Sequence, residues 1–278
     1  MTDFKGRVAF ITGGASGLGL SMARAFGARG ASVMLADIQA DRLAEAEALL
    51  KGAGVEVASV GCDVADEASV RAAAQATLDR FGKVHIVANN AGVSVVGRAG
   101  KVGLKNWRWV VDINLMGVAH GVEIFLPILR NQGEGGHFLN TASMAGHGAA
   151  AGMGPYNATK FAVVGYSESM QQELVEEDIQ VSVLCPAFVK TNIAHSELQS
   201  PGLRLPPEEA RKSKRFQKIK EAVEGGLEAD AVGEWVAECM EANRFYIFTH
   251  PELRPGLEAR YAAIMADYQA IADDGRFG

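Results

Sequence analysis

Short apolar runs alternate with longer amphipathic stretches through the N-terminal half of the chain, and the rhythm continues more loosely towards the C-terminus. Residues 7–12, 32–37, 55–62, 86–89, 136–141, 180–185 and 245–248 read as strands. Several are apolar on both faces, as strands buried inside a parallel sheet must be. Between them lie helical patterns such as 18–29 and 42–52, ended by glycines that can adopt a left-handed cap. The pattern predicts an α/β fold: a doubly wound, mostly parallel seven-stranded sheet with helices on both faces. No internal repeat, low-complexity tract or linker interrupts it, so residues 1–278 read as a single domain.

Two stretches fall outside the rhythm. Residues 190–227 carry prolines and charges between the last two strands and leave from the same sheet edge as the loops discussed below, which predicts a mobile substrate lid. At about 255–273, Leu257, Tyr261, Ile264, Met265, Tyr268 and Ile271 form an apolar helical stripe. That extension needs a partner surface, on its own domain or on a neighbouring subunit.

Composition narrows the classes. Hydrophobic residues make up 48% and charged residues 22% of 278 residues, a globular balance. A net charge of −6 argues against a nucleic-acid surface. The basic run Arg211, Lys212, Lys214, Arg215, Lys218 and Lys220 is a local exception, read as the solvated face of a lid helix or as an attraction for an anionic substrate group. Cys62, Cys185 and Cys239 lack disulfide or zinc spacing, and no signal peptide or membrane span is evident, so a cytoplasmic protein with reduced thiols is expected. No metal is expected: His147 and His195 have no ligand-like partners in the sequence and read as pocket or surface residues.

The first site signal is Thr12-Gly13-Gly14-Ala15-Ser16-Gly17-Leu18-Gly19, after a strand and at the start of a helix. Glycine suits a sharp turn, backbone approach to a pyrophosphate and close helix–strand packing, the parts given to Gly13, Gly17 and Gly19. Free N–H groups of Ser16, Gly17 and Leu18 at a helix N-terminus would meet the anion. Glycine clusters also make ordinary loops. Asp37, roughly twenty residues on at the end of the second strand, can accept from both ribose hydroxyls and would repel a 2′-phosphate. Neither Ala36 nor Ile38 supplies a compensating cation and Arg42 lies beyond the next turn, which favours NAD over NADP. Asp37 as a mere cap of the next helix is the alternative. Asp63 and Val64 after the third strand, and Asn90, Ala91 and Gly92 after the fourth, fall at the same edge, while Asn89 reads as a brace between strand ends.

Tyr156 and Lys160 are four residues apart, on one face of a helix. An ammonium there favours a phenolate. A surface Tyr/Lys pair has the same spacing. Ser143, after the fifth strand, can donate to a substrate oxygen as charge develops on it. Asn114 sits in a helical pattern where asparagine is a poor former, which suggests a kinked backbone holding a water.

In order and spacing, residues 12–19, 89–92, Asn114, Ser143, Tyr156 and Lys160 resemble the classical short-chain dehydrogenase/reductase family, closely over 6–193 and more loosely to 248. The resemblance implies a Rossmann-type domain and an NAD-dependent oxidoreductase. It implies Tyr156 as general base, Lys160 as the residue that lowers its pKa and binds the nicotinamide ribose, Ser143 as substrate orienter and Asn114 as anchor of a proton-relay water. Pro186 to Thr191, with Val189 between, resembles the segment that receives the nicotinamide carboxamide, with Ala187 where the family has glycine. A homodimer or homotetramer is implied too.

Met144, Met153 and Phe188, with Val93, Ser94, Val95 and Gly154, are candidate substrate walls, mostly apolar, which points to a hydrophobic secondary alcohol or its ketone. The tail 246–257 is similar to that of bacterial dehydrogenases acting on benzylic alcohols of aryl ethers. An NADPH-dependent ketone reductase, or a non-catalytic cofactor-binding protein on the same fold, stays open at this point.

Overall fold

The computed structural model describes residues 2–203 and 206–276. Strand β1 (Val8–Thr12) leads through α1 (Gly17–Ala28) to β2 (Ser32–Asp37), then α2 (Ala40–Gly52), β3 (Val57–Gly61), α3 (Glu67–Phe81) and β4 (Ile86–Asn89). Helices α4 (Leu104–Val111) and α5 (Gly117–Gln132) precede β5 (Gly136–Thr141), and α6 (Gly154–Glu173) precedes β6 (Ile179–Cys185). After β6 come α7 (Ile193–Ser196), α8 (Pro207–Arg211), α9 (Lys214–Glu224), α10 (Ala229–Glu241), β7 (Tyr246–Phe248) and α11 (Arg254–Asp274).

The seven strands lie in the order β3-β2-β1-β4-β5-β6-β7, all parallel. Side chains alternate across the sheet, so each central strand feeds two cores. In β1, Ala9 and Ile11 meet Phe26 of α1, Leu50 of α2 and Val236 of α10, while Phe10 meets Val70 of α3, Phe125 of α5 and Met170 of α6. The sheet is therefore a three-layer sandwich with both faces covered. Connections run outward in opposite directions from β1 and β4, opening a crevice at their carboxyl ends where ligands of such sheets bind.

Between α4 and α5 the helix widens into a π turn at Asp112–Met116, centred on Asn114. This is the irregularity expected there: Gly117 N–H donates to the Asp112 carbonyl five residues back. The combined run Leu104–Gln132 spans 29 residues at a mean hydropathy of 1.4, long and apolar enough by composition to cross a bilayer, which corrects the expectation that no such run exists. Its apolar face is taken up by the sheet: Val118, Val122, Phe125 and Leu129 are core residues. It is a core helix.

The 190–227 segment is more firmly held than its charges suggest. Its ends are tied together, Lys190 N–H donating to the Leu227 carbonyl at 2.9 Å and Leu227 N–H to the Phe188 carbonyl at 3.0 Å. Phe216 and Val223 of α9 are buried, and Arg215 pairs with the largely buried Glu197 while donating to the Val96 carbonyl at 2.8 Å. Two aromatic and aliphatic anchors in an otherwise polar helix were too few to register as a pattern. Helix α11 behaves in the opposite way: it has no buried residue, and apart from Leu257 on the cavity wall its apolar stripe is exposed, with Arg260 in contact with the Phe161 ring at 5.1 Å.

Candidate active site

The loops after β1, β2, β3, β4, β5 and β6 converge on one cavity of about 900 Å³. At its floor the β1–α1 turn bends through Gly13 (φ +64°) and Gly17 (φ +53°). A methyl on Gly17 would lie 3.0 Å from the Thr191 side chain, and one on Gly19 would lie 2.1 Å from the Gly13 carbonyl oxygen. Gly19 thus packs helix against turn and is not itself on the cavity surface, whereas Gly13, Ser16, Gly17 and Leu18 are. Ser16 makes no side-chain cap and the first turn of α1 holds no acid, so its leading N–H groups are not answered by a local carboxylate. Thr12 fixes the neighbouring loop: its hydroxyl accepts from Asn90 N–H at 2.8 Å and Ala91 N–H at 3.0 Å.

Asp37 ends β2 on the cavity wall, one oxygen accepting from Ala15 N–H at 3.2 Å and the other from Gln39 N–H at 3.1 Å. It makes a turn and faces the cavity at once, while the cap position of α2 falls to Gln39. Asp63 and Val64 line the same end, as do Asn90, Ala91 and Gly92. Ile38 is 67% exposed there. Arg42 also lines the cavity, although the sequence spacing put it out of reach: the first turn of α2 carries it back over the crevice. Asn89 is buried, its amide donating to Asn140 Oδ1 at 2.9 Å across the strands, and acts as the expected brace.

Helix α6 begins at Gly154 with Pro155 in its first turn, placing Tyr156 and Lys160 one turn apart. The Lys160 ammonium lies 5.6 Å from the Tyr156 ring centre and donates to the Thr141 carbonyl at 2.7 Å. Burial pushes this lysine down to about 8. Tyr156 is pushed up from its ordinary value by burial, against a smaller lowering by the Ser143 hydroxyl. Burial is the leading influence on this phenol in the chain by itself; the lowering expected from Lys160 belongs to the enzyme with its cofactor bound. Ser143 is held by its own hydroxyl donating to the Pro186 carbonyl at 3.2 Å and accepting from Ala145 N–H at 3.1 Å. Asn114 stands behind the cavity surface: its amide donates to the Val93 carbonyl at 2.9 Å and its Oδ1 accepts from Val93 N–H at 2.8 Å. It clamps the 90–94 loop against α6, with Gly92 packed between it and Lys160 Nζ.

Pro186, Phe188, Val189 and Thr191 line the cavity opposite Tyr156. Ala187 needs no left-handed backbone, since Asn243 is the one non-glycine residue with positive φ among those described, so its methyl is accommodated. Val93, Ser94, Met144 and Met153 form walls as expected. Val95 and Gly154 do not: Val95 is 2% exposed in the core, and Gly154 starts α6. The sequence missed Trp109, Ile113, Leu253 and Leu257 as cavity residues, whereas Ile219 belongs to the 190–227 segment expected to cover the substrate. His147 and His195 both line the cavity; His147 is kept neutral by burial, and His195 Nδ1 is enclosed with no partner among the described residues. No cluster of His, Cys, Asp and Glu able to hold a metal occurs among the described residues.

A family model described as short chain dehydrogenase matches residues 7–201. The chain is 35% identical to the "CLA biosynthesis dehydrogenase/reductase" of Lactiplantibacillus plantarum, over 96% of both chains. It is 33% identical to the "C alpha-dehydrogenase" of Sphingobium sp., covering 99% of this chain and 90% of that one. Among solved structures, a short chain dehydrogenase/reductase of Burkholderia phymatum in complex with NAD superposes with a TM-score of 0.90 at 38% identity, covering 96% of this chain and 97% of that one.

Proposed function

The chain belongs to the short chain dehydrogenase family, and from that premise we propose that it is an NAD-dependent dehydrogenase interconverting a hydrophobic secondary alcohol and its ketone, with Tyr156 as general base. One observation carries the reading: Tyr156, Ser143 and Lys160 lie at one end of the same cavity whose other end holds the glycine turn and Asp37. The turn residues fit a dinucleotide, because a Cβ at Gly13 would lie 3.0 to 3.3 Å from Asn90 and Ala91 and fill the cradle. Gly13, Ser16, Gly17 and Leu18 would hold the pyrophosphate, Asp37 and Ile38 the adenosine ribose, Asp63 and Val64 the adenine side, and Asn90 to Gly92 with Pro186, Val189 and Thr191 the nicotinamide half.

When bound, NAD supplies the hydride acceptor and a positive ring. Tyr156, as its phenolate, takes the hydroxyl proton of the alcohol as the carbinol C–H bond breaks. Ser143 orients the substrate oxygen by donating to it. Lys160 has donors left beyond its bond to Thr141, and its charge offsets the burial that raises Tyr156, with the rest of the lowering coming from the holoenzyme. The proton then leaves through Lys160 and a water chain near Asn114, whose part is to fix the loop lining that path.

The apolar walls Val93, Met144, Met153, Trp109 and Ile113 support an aryl or alicyclic substrate, and the similarity to a C alpha-dehydrogenase supports benzylic carbinols as the first class to try. Arg42 on the adenosine wall favours a second reading, a reductase using NADPH; Asp37 between it and the ribose weighs against that. A screen of aromatic, steroidal and alicyclic secondary alcohols with NAD and with NADP tests both. Turnover with NAD is expected; turnover with NADP alone would favour the second reading, and binding of neither nucleotide would defeat both.

A further inference from the structure

Helix α11 runs for 21 residues without a buried residue, and such a helix has little reason to persist in water without a partner. Along it, Leu257, Tyr261, Ile264, Tyr268 and Ile271 follow one another at intervals of four, three, four and three residues. This is the spacing that keeps one seam facing another α-helix, with apolar knobs inserted between the side chains of the partner. Tyr261, Ile264, Met265, Tyr268 and Ile271 are 51, 39, 62, 69 and 49% exposed, so the seam is open. Leu257, its first residue, is already half-buried on the wall of the cavity.

We propose that α11 pairs antiparallel with α11 of a second copy of this chain about a two-fold axis passing close to Met265. The seam is complementary to itself in that arrangement and in that direction. Tyr261 meets the partner's Ile271 and Ile264 meets the partner's Tyr268, with both layers repeated by the symmetry, so every aromatic ring packs on an aliphatic side chain. A parallel pair would instead stack Tyr261 on the partner's Tyr261 and Tyr268 on the partner's Tyr268. In the row beside the seam the antiparallel register sets Arg260 across from the partner's Asp274, a pairing the symmetry repeats, against one like-charged meeting of Asp267 with the partner's Asp267 near the axis. A self-complementary patch of this kind closes as a dimer without leaving a second free copy of itself. An oligomer is expected from the resemblance to the family; the assignment of α11, its direction and its axis come from the spacing of these residues.

The test uses the full-length chain with one added thiol. Cys62, Cys185 and Cys239 are buried, so Met265→Cys introduces the accessible cysteine. Mild oxidation should link most Met265→Cys chains into disulfide dimers at micromolar concentration. Ala263→Cys, on the outer face of the same helix, should stay unlinked under the same conditions. In a second arm, Ile264→Asp with Tyr268→Asp places charges on exposed positions that the fold of the monomer does not use. Sedimentation should then show the assembly reduced by half, with unchanged far-ultraviolet circular dichroism. Equal cross-linking of the two cysteine variants overturns the antiparallel pairing. A double-aspartate variant of unchanged size overturns the role of α11 in assembly.

Discussion

Replacing Gly19 by alanine separates the cofactor turn from the stability of the fold. In an ordinary helix interior the change would stabilise by about 1 kcal/mol, because alanine has less backbone freedom to lose. Gly165 of α6 is such a site, with nothing within 4 Å of an added Cβ, and Gly165→Ala should be neutral to stabilising. At Gly19 the same methyl would lie 2.1 Å from the Gly13 carbonyl oxygen, 2.7 Å from its carbon and 2.9 Å from Asn90 Nδ2. Two of these atoms are backbone of the phosphate-binding turn, so the turn must retreat from α1 by about 1 Å. Overpacking costs about 1–3 kcal/mol, which the helix gain partly offsets, leaving a modest fall in stability. Displacement of a positioning element by about 1 Å can cost about 10²-fold in function. Gly19→Ala should therefore weaken NAD binding by about 10- to 100-fold, which is about 1.4–2.8 kcal/mol, while the protein stays folded. Titration calorimetry with NAD beside thermal unfolding of both variants reads the two quantities separately. NAD affinity in Gly19→Ala within twofold of the unmodified protein would refute the close-packing argument for the turn.

Asp37→Ala should weaken NAD binding and narrow the preference against NADP, by removing ribose acceptors and the repulsion of a 2′-phosphate; an unmodified protein that already prefers NADP in a binding titration would contradict this. His137 is fully buried between Thr2 Oγ1 at 2.5 Å and Ser182 Oγ at 2.8 Å, and burial pushes it down to about 3. The unfolded chain binds a proton near pH 6.5 that the folded chain refuses, so stability should fall as pH drops from about 6.5 towards 3, by up to about 1.4 kcal/mol per pH unit. Urea unfolding of His137→Gln should show a shallower acid slope, and an unchanged slope would assign the loss elsewhere. The anchors of α9 at Phe216, Val223 and Arg215 predict slow amide exchange there in the free protein and no further slowing by NAD with a substrate analogue; fast exchange slowed by the ligands would make the segment a lid and not a fixed wall.

All seven strands were legible, each to within two residues at either end, because buried parallel strands show as short apolar runs that nothing else in the chain imitates. Tyr156 and Lys160 were legible for a different reason: a four-residue spacing in a helix fixes direction whatever the surroundings. The irregularity at Asn114 showed through asparagine's poor helix propensity, and the structure gives it a π turn. What the sequence concealed depends on distance through space. Arg42 came back over the crevice with the first turn of α2, and Trp109 and Leu257 reached the cavity from helices far apart in the chain. The protonation of Tyr156 was hidden too. Spacing reveals the lysine beside it, but not the burial that pushes the phenol up in the chain alone.

The central claim is that a positioned phenol carries the proton in a redox reaction, and Tyr156→Phe tests it most directly, since the change deletes one hydroxyl from a half-buried ring on the cavity wall. With an alcohol found in the NAD screen, the variant should bind NAD as tightly as the unmodified protein while kcat falls by about 10²- to 10⁴-fold, the contribution of a general base. Turnover by Tyr156→Phe within a few-fold of the unmodified enzyme, with the same alcohol and saturating NAD, would contradict the account.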